Sequence, residues 1–220
     1  MANVLRYDGT NQYTSFPANP FHQNRTQYKF ETKFTTYDLS KSVYFVARNN
    51  SFSSYISYRS DDIFMIRYAG VAVSWDFLNL IPGKQYHFVV TRDGNDHELF
   101  IDGQSEGIQT SSATSTDNVN VTGQASNSVY THADIEYIRL YDAPDAGSLV
   151  YNWSADASDR SNTGSQPVMV ETVAANNATG SNFPVDGTAW QVLPDPPVKS
   201  GDYNLSLTSD LFDIIGNVDK

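Results

Sequence analysis

The sequence predicts an all-β protein built as a sandwich of two antiparallel sheets, and three observations support this. Apolar and polar residues alternate with a period of two along much of the chain, as in strands with one buried face. The 220 residues include 14 Tyr and 12 Phe, which favour pleated, half-buried surfaces. Turn signals separate many short strands, and no helix of ordinary length is indicated anywhere.

The first half of the chain supplies most of the predicted strands. Tyr28, Phe30 and Phe34 share one face of a strand over residues 28–35, whose other face is polar. Further strands are predicted over residues 43–47, 52–59, 62–68, 71–75, 86–90, 97–101 and 134–141. Turns are predicted at residues 81–84, 92–96 and 102–103, and a polar loop at residues 110–118.

The strand over residues 134–141 carries an irregular alternation. Ile138 and Leu140 share a face, but Ile135 is out of phase with them. A β-bulge inserts one extra residue into a strand and would bring all three side chains to the core. We therefore predict a bulge between Ile135 and Ile138.

The composition changes after residue 143. Residues 154–166 and 174–188 are rich in Ser, Asn, Asp, Gly and Ala and are predicted to be loops. Late strands are predicted from the apolar residues at 149–153, 168–170 and 189–193. We expect one β-sandwich domain over residues 1–193, with its core in residues 1–142 and a loop-rich elaboration in residues 143–193.

Residues 194–220 are predicted to form an arm. Three prolines at its start make a stiff spacer, and residues 209–215 have the pattern of one short helix. Such a helix cannot bury its own apolar face, so it should dock on the parent domain or on another subunit. The residues expected to dock are Leu211, Phe212, Ile214 and Ile215.

Charge and cysteine content exclude several classes of function. The formal net charge is −11, and no run of Lys or Arg interrupts it. An acidic surface repels nucleic acids and anionic membranes, so neither is an expected partner. The chain has no cysteine, which excludes disulfides, thiolate catalysis and Cys-based zinc sites. It begins with Met1 without a basic and then apolar run, so we expect a complete chain without a secretory leader.

Three regions resemble laminin G-like modules of the concanavalin A type. The opening residues 5–13 (LRYDGTNQY) are similar to the first strand and turn of that family. Residues 86–94 (YHFVVTRDG), followed by 99–103 (LFIDG), are similar to its central hairpin, and residues 135–141 (IEYIRLY) to its closing strand. The resemblance covers about residues 1–142 and implies a two-sheet antiparallel jelly roll. The family hosts lectins, adhesion modules, polysaccharide-degrading enzymes and bacteriophage virion proteins, so the fold alone does not determine function.

An enzymatic function is not expected. Glycoside hydrolysis needs two carboxylates, which lie roughly 5–5.5 Å apart in retaining enzymes. Hydrolases of this family carry a Glu-x-Asp-x-x-Glu strand, and the nearest approach here is residues 132–136 (HADIE). Its first carboxylate is replaced by His132, and no third carboxylate follows in register. Asp134 and Glu136 are instead predicted to lie on a solvent-facing strand surface, and no catalytic residue is assigned.

A calcium site is a further hypothesis, since members of the family often hold calcium at loop carboxylates. Asp93, Asn95 and Asp96 cluster in one predicted turn and are the candidate ligands. Turn geometry is a sufficient alternative explanation, because Asp and Asn tolerate positive φ. We therefore expect no cofactor, with calcium as the one candidate.

Glycan binding would require exposed aromatic rings for sugars to stack on. The candidates for such a platform are Tyr55, Tyr58, Tyr68, Trp75 and Tyr130. The alternative is that most of them belong to the core or to cross-strand pairs.

These observations predict a non-catalytic structural protein of a bacteriophage virion, acting as a capsid decoration protein or a tail-associated module. Its partners would be capsid or tail proteins, and a homo-oligomer, taken as a trimer, is expected. The alternative function is a carbohydrate-binding lectin module that recognises cell-surface glycans, with or without calcium, in a secreted location. A polysaccharide hydrolase or lyase is the third alternative.

Overall fold

A computed structural model describes residues 2–16, 24–48, 52–117, 119–126, 129–145, 147–156, 164–173 and 177–193. The predicted arm over residues 194–220 lies outside these ranges, and so do Leu211, Phe212, Ile214 and Ile215. The described residues contain strands and no helix, so none of them forms a helix long and apolar enough to cross a membrane.

The described residues form eighteen strands. They are β1 (Ala2–Asp8), β2 (Tyr13–Ser15), β3 (Gln27–Thr36), β4 (Val43–Arg48), β5 (Tyr55–Arg59), β6 (Ile63–Tyr68), β7 (Val71–Asp76), β8 (Gln85–Asp93), β9 (Asp96–Ile101), β10 (Gln104–Thr110), β11 (Val119–Thr122), β12 (Gln124–Ser126), β13 (Val129–Tyr130), β14 (His132–Tyr141), β15 (Leu149–Ser154), β16 (Val168–Glu171), β17 (Ala178–Ser181) and β18 (Trp190–Leu193).

The strands make a two-layer antiparallel sandwich, which confirms the predicted fold class. The first layer has the order β10-β9-β8-β3-β14. On its other edge, β14 pairs with β1 through its first residues and with β15 through its last residues, and β1 also pairs with β18. The second layer has the order β16-β17-β2-β11-β4-β5-β6-β7. Pairing of β15 with β16 joins the layers on one side. On the other side the indole Nε1 of Trp75 donates to the carbonyl of Gly107 at 2.8 Å, so the sandwich is nearly closed into a barrel.

The core lies between the two layers and is rich in aromatic rings. Phe34 of the first layer packs edge-on against Phe45 of the second, with ring centroids 4.7 Å apart. Phe88 and Phe64 make a second contact across the layers at 5.5 Å. All four side chains are fully buried. Such edge-to-face pairs stabilise the core beyond the apolar area that they bury.

The predicted bulge in the closing strand is confirmed. The pairing of β14 with β3 shifts register between Ile135 and Tyr137, which leaves Glu136 as the extra residue. Ile135, Ile138 and Leu140 are all buried as a result. The bulge reconciles the irregular sequence with a continuous ten-residue strand.

The region after residue 143 contributes four strands to the sheets rather than loops alone. β15, β16 and β18 coincide with the predicted late strands, but β17 lies in a stretch predicted to be a loop. Its sequence, ATGS, lacks the β-branched and aromatic residues that signal a strand. Position 180 requires a glycine because a Cβ there would lie 2.8 Å from the ring of Pro167.

Strand β5 is shorter than predicted and is buried on both faces. It begins at Tyr55, and Phe52, expected in phase with Ile56, is exposed in the preceding bend. The outer side of β5 is covered because Tyr55 joins Tyr44 and Val121 in a small second apolar cluster.

Candidate functional site

The outer surface of the first layer carries polar and aromatic side chains on three adjacent strands. Alternation on β3, β8 and β14 sends every second side chain away from the core. We call this surface the polar face, formed by Lys29, Glu31, Lys33, Gln85, His87, Glu136, Tyr137, Arg139 and Tyr141. His87 lies out of phase with the buried Tyr86 and Phe88 on β8, so its side chain points to the outer face and is half-buried.

Glu31 is the electrostatic centre of one half of the polar face. The ammonium of Lys29 lies 3.3 Å from its carboxylate, and the phenol of Tyr141 donates a hydrogen bond to it at 3.2 Å. An Arg139 guanidinium nitrogen lies 3.9 Å away. The same Lys29 ammonium sits 3.9 Å from the ring centroid of Tyr141, a cation–π contact. These contacts hold an aromatic ring and three charged groups in one fixed arrangement.

Tyr137 occupies the middle of the polar face. The Arg139 guanidinium lies 3.9 Å from its ring centroid, and the ring of His87 packs edge-on at 6.2 Å. Burial raises the pKa of Tyr137 to about 12, so its phenol stays protonated at neutral pH.

His87 has an unfulfilled polar group. Its Nε2 is buried and has no hydrogen-bond partner among the described residues. Burial is the main cause that lowers the pKa of His87 from 6.5, with Lys33 and Arg139 acting in the same direction against Glu31 and Asp102. The ring is therefore neutral at pH 7. A buried polar atom without a partner is unfavourable, so this nitrogen favours a bound water or ligand group beside it.

The two carboxylates of residues 132–136 are not solvent-facing, which corrects the prediction. Asp134 is fully buried and Glu136 is 8% exposed. The Arg6 guanidinium donates twice to Asp134, from Nε and Nη2, both at 2.7 Å, and the Tyr37 hydroxyl donates at 2.6 Å. The bulge turns Glu136 over β3 and β8, where Lys33 pairs with it at 3.2 Å. Neither carboxylate is left free to act on a substrate in this arrangement.

The predicted calcium ligands lie in the β8–β9 hairpin and are exposed. The amide of Gln27 donates to the carboxylate of Asp93 at 3.0 Å, and the hydroxyl of Thr110 donates to that of Asp96 at 2.9 Å. The carbonyl of Asn95 accepts the backbone N–H of Ser111. Within the described ranges no three His, Asp or Glu side chains are grouped closely enough to hold a metal ion. Calcium at Asp93, Asn95 and Asp96 stays a prediction.

Four of the five aromatic residues predicted as a stacking platform belong to the interior. Tyr55, Tyr58, Tyr68 and Trp75 are between 1% and 3% exposed, which overturns that prediction for them. Tyr58, Tyr68 and Trp75 point into the main core from β5, β6 and β7, whereas Tyr55 lies in the small apolar cluster that covers the outer side of β5. Tyr130, on the short strand β13, is half-buried.

The outward orientation of Tyr137 and Tyr141 was not predicted from the sequence, although Tyr137 is largely covered by its neighbours and Tyr141 is half-buried. The signal was present, because both lie out of phase with the buried Ile138 and Leu140 on one strand. The same alternation on β3 places Lys29 and Glu31 on the matching face. Pairing of β3 with β14, which no sequence pattern specified, is what brings the two sets together.

Comparison with known proteins places the fold among lectin-type sandwiches. A family model described as the concanavalin A-like lectin/glucanases superfamily matches residues 8–145. No sequence among curated proteins matches the chain.

Solved structures of similar fold are distant in sequence. A protein from Bacteroides ovatus, provisionally described as carbohydrate binding, superposes with a TM-score of 0.66 at 11% identity over 90% of this chain. That match covers 61% of the other protein, so the chain spans about three fifths of its length, and the likeness shows the fold alone. Two weaker matches are partial. Domains LG4-5 of the mouse laminin α1 chain give a TM-score of 0.48 at 14% identity, covering 63% of this chain and 40% of that one. Domain 4 of an extracellular arabinanase from Geobacillus stearothermophilus gives 0.45 at 14% identity, covering 54% and 61%.

Proposed function

The chain belongs to the concanavalin A-like lectin/glucanase superfamily, and we propose from that membership that it is a carbohydrate-binding module that works without catalysis. The binding surface in this proposal is the polar face of the first layer. The virion role predicted from the sequence becomes the second candidate, because no comparison supports it.

One observation carries the proposal: the polar face combines tyrosine rings with hydrogen-bonding groups on three adjacent strands. Sugars bind through C–H contacts with aromatic rings and through hydroxyl hydrogen bonds to charged and amide groups. Tyr141 and Arg139 lie on β14 beside Lys29 and Glu31 on β3, which provides both kinds of contact on one surface.

The superfamily includes glucanases as well as lectins, so the absence of catalysis needs its own argument. The carboxylates nearest to the hydrolase pattern are Asp134 and Glu136. The first is wholly enclosed by Arg6 and Tyr37, and the second is paired with Lys33. A general acid or nucleophile must reach the scissile bond, and these two groups are held against neighbouring side chains instead.

A broad glycan array tests the proposal directly. The full-length protein should bind one class of glycan, measured with calcium and again with a chelator, since calcium stays a hypothesis. Replacement Tyr141→Ala should weaken the best interaction by about tenfold, which corresponds to ~1.4 kcal/mol. The matched control is Tyr130→Ala, which removes a half-buried tyrosine from β13, away from the polar face.

The outcomes separate the alternatives. Binding that Tyr141→Ala weakens and Tyr130→Ala preserves would support the polar face as the site. Binding unchanged in both variants would keep the function and move the site elsewhere. An absence of any glycan binding by the wild-type protein would reject the proposal.

The second candidate, a virion decoration or tail protein, rests on expectations about residues 194–220 and on family analogy. Its location on a virion, or alternatively outside a cell, is likewise a proposal. Reconstitution of the protein onto empty capsids, with and without residues 194–220, would test it. Attachment that does not depend on this arm would contradict the docking role assigned to Leu211 and Ile215.

A further inference from the structure

One corner of the second layer combines two features that folded chains usually avoid. The corner is formed by the β5–β6 turn and the segment after β7. Asp62, Phe77 and Asn79 all have left-handed backbone there, with φ of 63°, 62° and 52°. For a bulky aromatic residue this conformation is strained. Phe77 is also 81% exposed, the largest exposure among the exposed large hydrophobic residues of the described chain.

Hydrogen bonds hold this corner in place. The Asp62 carboxylate accepts the backbone N–H of Asn79, at 3.0 and 2.9 Å to its two oxygens, and the hydroxyl of Tyr58 at 2.9 Å. The side-chain amide of Asn79 donates to the carbonyl of Phe77 at 2.7 Å. The Phe77 ring is therefore presented to solvent by a defined scaffold.

A phenylalanine at position 77 destabilises the fold in two ways, through its left-handed backbone and through the exposure of its ring. Gly or Asn would adopt the left-handed conformation with less strain and would expose no apolar ring. Strain and exposure that persist together at one position point to a function for the side chain. We propose that Phe77 is a stacking platform for a sugar ring, at a second glycan-binding site separate from the polar face.

The surroundings of the ring favour a sugar over other partners. Asp76, the residue before Phe77, is exposed, and its carboxylate has no hydrogen-bond or ion-pair partner among the described residues, so it is free to accept hydroxyls of a bound sugar. A stable protein interface buries about 1,000 Å² or more, and the Phe77 ring with the exposed Ile81 in the same segment and Ile108 on the neighbouring strand β10 offers less apolar area than that. Asp61 and Asp62, together with the net charge of −11, repel an anionic membrane surface.

This inference shares with the proposed function the premise that the ligand is a glycan, but it rests on a different surface. The ligand class is a neutral glycan whose pyranose rings offer a C–H face, such as β-linked glucans or galactans. A flat aromatic ring contacts that face, and the adjacent carboxylate accepts hydroxyls at its edge.

The test uses three variants of the full-length protein on an array of neutral glucans, galactans, mannans and xylans. Phe77→Asn removes the ring and keeps a residue that tolerates positive φ, so it should weaken binding about tenfold or more while the melting temperature rises or stays the same. Phe77→Tyr keeps a ring and should retain binding. Phe52→Ala is the matched control, because Phe52 is also exposed, at 42%, but carries no positive φ.

Each outcome decides the proposal. A loss confined to Phe77→Asn, with thermal stability kept, supports it. Wild-type binding that survives Phe77→Asn overturns it and leaves the polar face as the site. A fall of several degrees in the melting temperature of Phe77→Asn overturns it too, since the ring would then be structural. If the wild-type protein binds nothing on the array, both the proposed function and this second site are rejected.

Discussion

Replacing Arg6 by Met should reveal how strongly the fold depends on the buried carboxylate of Asp134. That carboxylate has no solvent exposure and receives two hydrogen bonds from Arg6 and one from Tyr37. Among the described residues, the substitution removes two of the three donors to Asp134 and the one cation in contact with it. A buried charge without its partner is unfavourable because neither water nor protein then compensates it.

The magnitude follows from burial. Breaking a fully buried pair costs about 3–5 kcal/mol. The Arg6 side chain is 39% exposed, so water can replace part of the lost interaction, and we expect about 2–3 kcal/mol. For a chain of this size that corresponds to a fall in melting temperature of roughly 5–10 °C.

Thermal and urea unfolding would measure the change, and a double-mutant cycle would identify its cause. Adding Asp134→Asn to Arg6→Met removes the stranded charge, so the double variant should recover much of the lost stability. Asp134→Asn should also leave glycan binding unchanged, because the carboxylate contacts structural partners. A cost below about 0.5 kcal/mol for Arg6→Met would refute the reasoning, since it would mean that water reaches Asp134.

Two further predictions concern the interior. His97 is fully buried, and burial, with the nearby Arg92, lowers its pKa to about 4, whereas the unfolded value is near 6.5. Between pH 6.5 and pH 4 only the unfolded state binds the proton. The free energy of unfolding should therefore decrease by about 3 kcal/mol as the pH is lowered from 6.5 to 4. Urea unfolding at several pH values would measure this, and His97→Gln should show a smaller decrease. Gly123→Ala should destabilise by several kcal/mol, because φ is +86° and the new Cβ would lie 2.5 Å from the Tyr7 ring. Gly94→Ala, with φ of +61° and open space around it, should cost only about 1 kcal/mol in the same melts.

The sheet architecture was predictable because it follows from local alternation. Strands β3 to β9 were identified from their own side chains, whereas β2 and β10 were not predicted. The bulge at Glu136 was expected because Ile135, Ile138 and Leu140 had to reach the core. β17 was not predicted because a strand of Ala, Thr, Gly and Ser has no local apolar alternation. It forms through its pairing with β16 and β2 on either side.

The candidate site was much less predictable than the fold. Tyr58, Tyr68 and Trp75 were candidates for surface rings because alternation does not show which face of a strand points to the core. Tyr68 and Trp75 lie on the core side of β6 and β7, whose other faces are less buried. Both sides of β5 are buried, so aromatic residues in either phase become interior. Tyr141 belongs to the polar face only through the pairing of β14 with β3, a contact between residues more than a hundred positions apart.

Under the proposed function, the charge of the polar face determines which kind of glycan it can bind. Lys29, Lys33 and Arg139 face Glu31 and Glu136, which leaves three cations against two carboxylates on a chain whose net charge is −11. The face is therefore close to neutral, while the rest of the surface repels anions over the Debye length of about 8–10 Å. A sulfated or polyuronic chain would gain little from the face and would be repelled along its length. A neutral polysaccharide meets no such repulsion, and its hydroxyls can hydrogen-bond to Lys33 and Arg139, whose side chains are each 33% exposed, without leaving a charge unpaired.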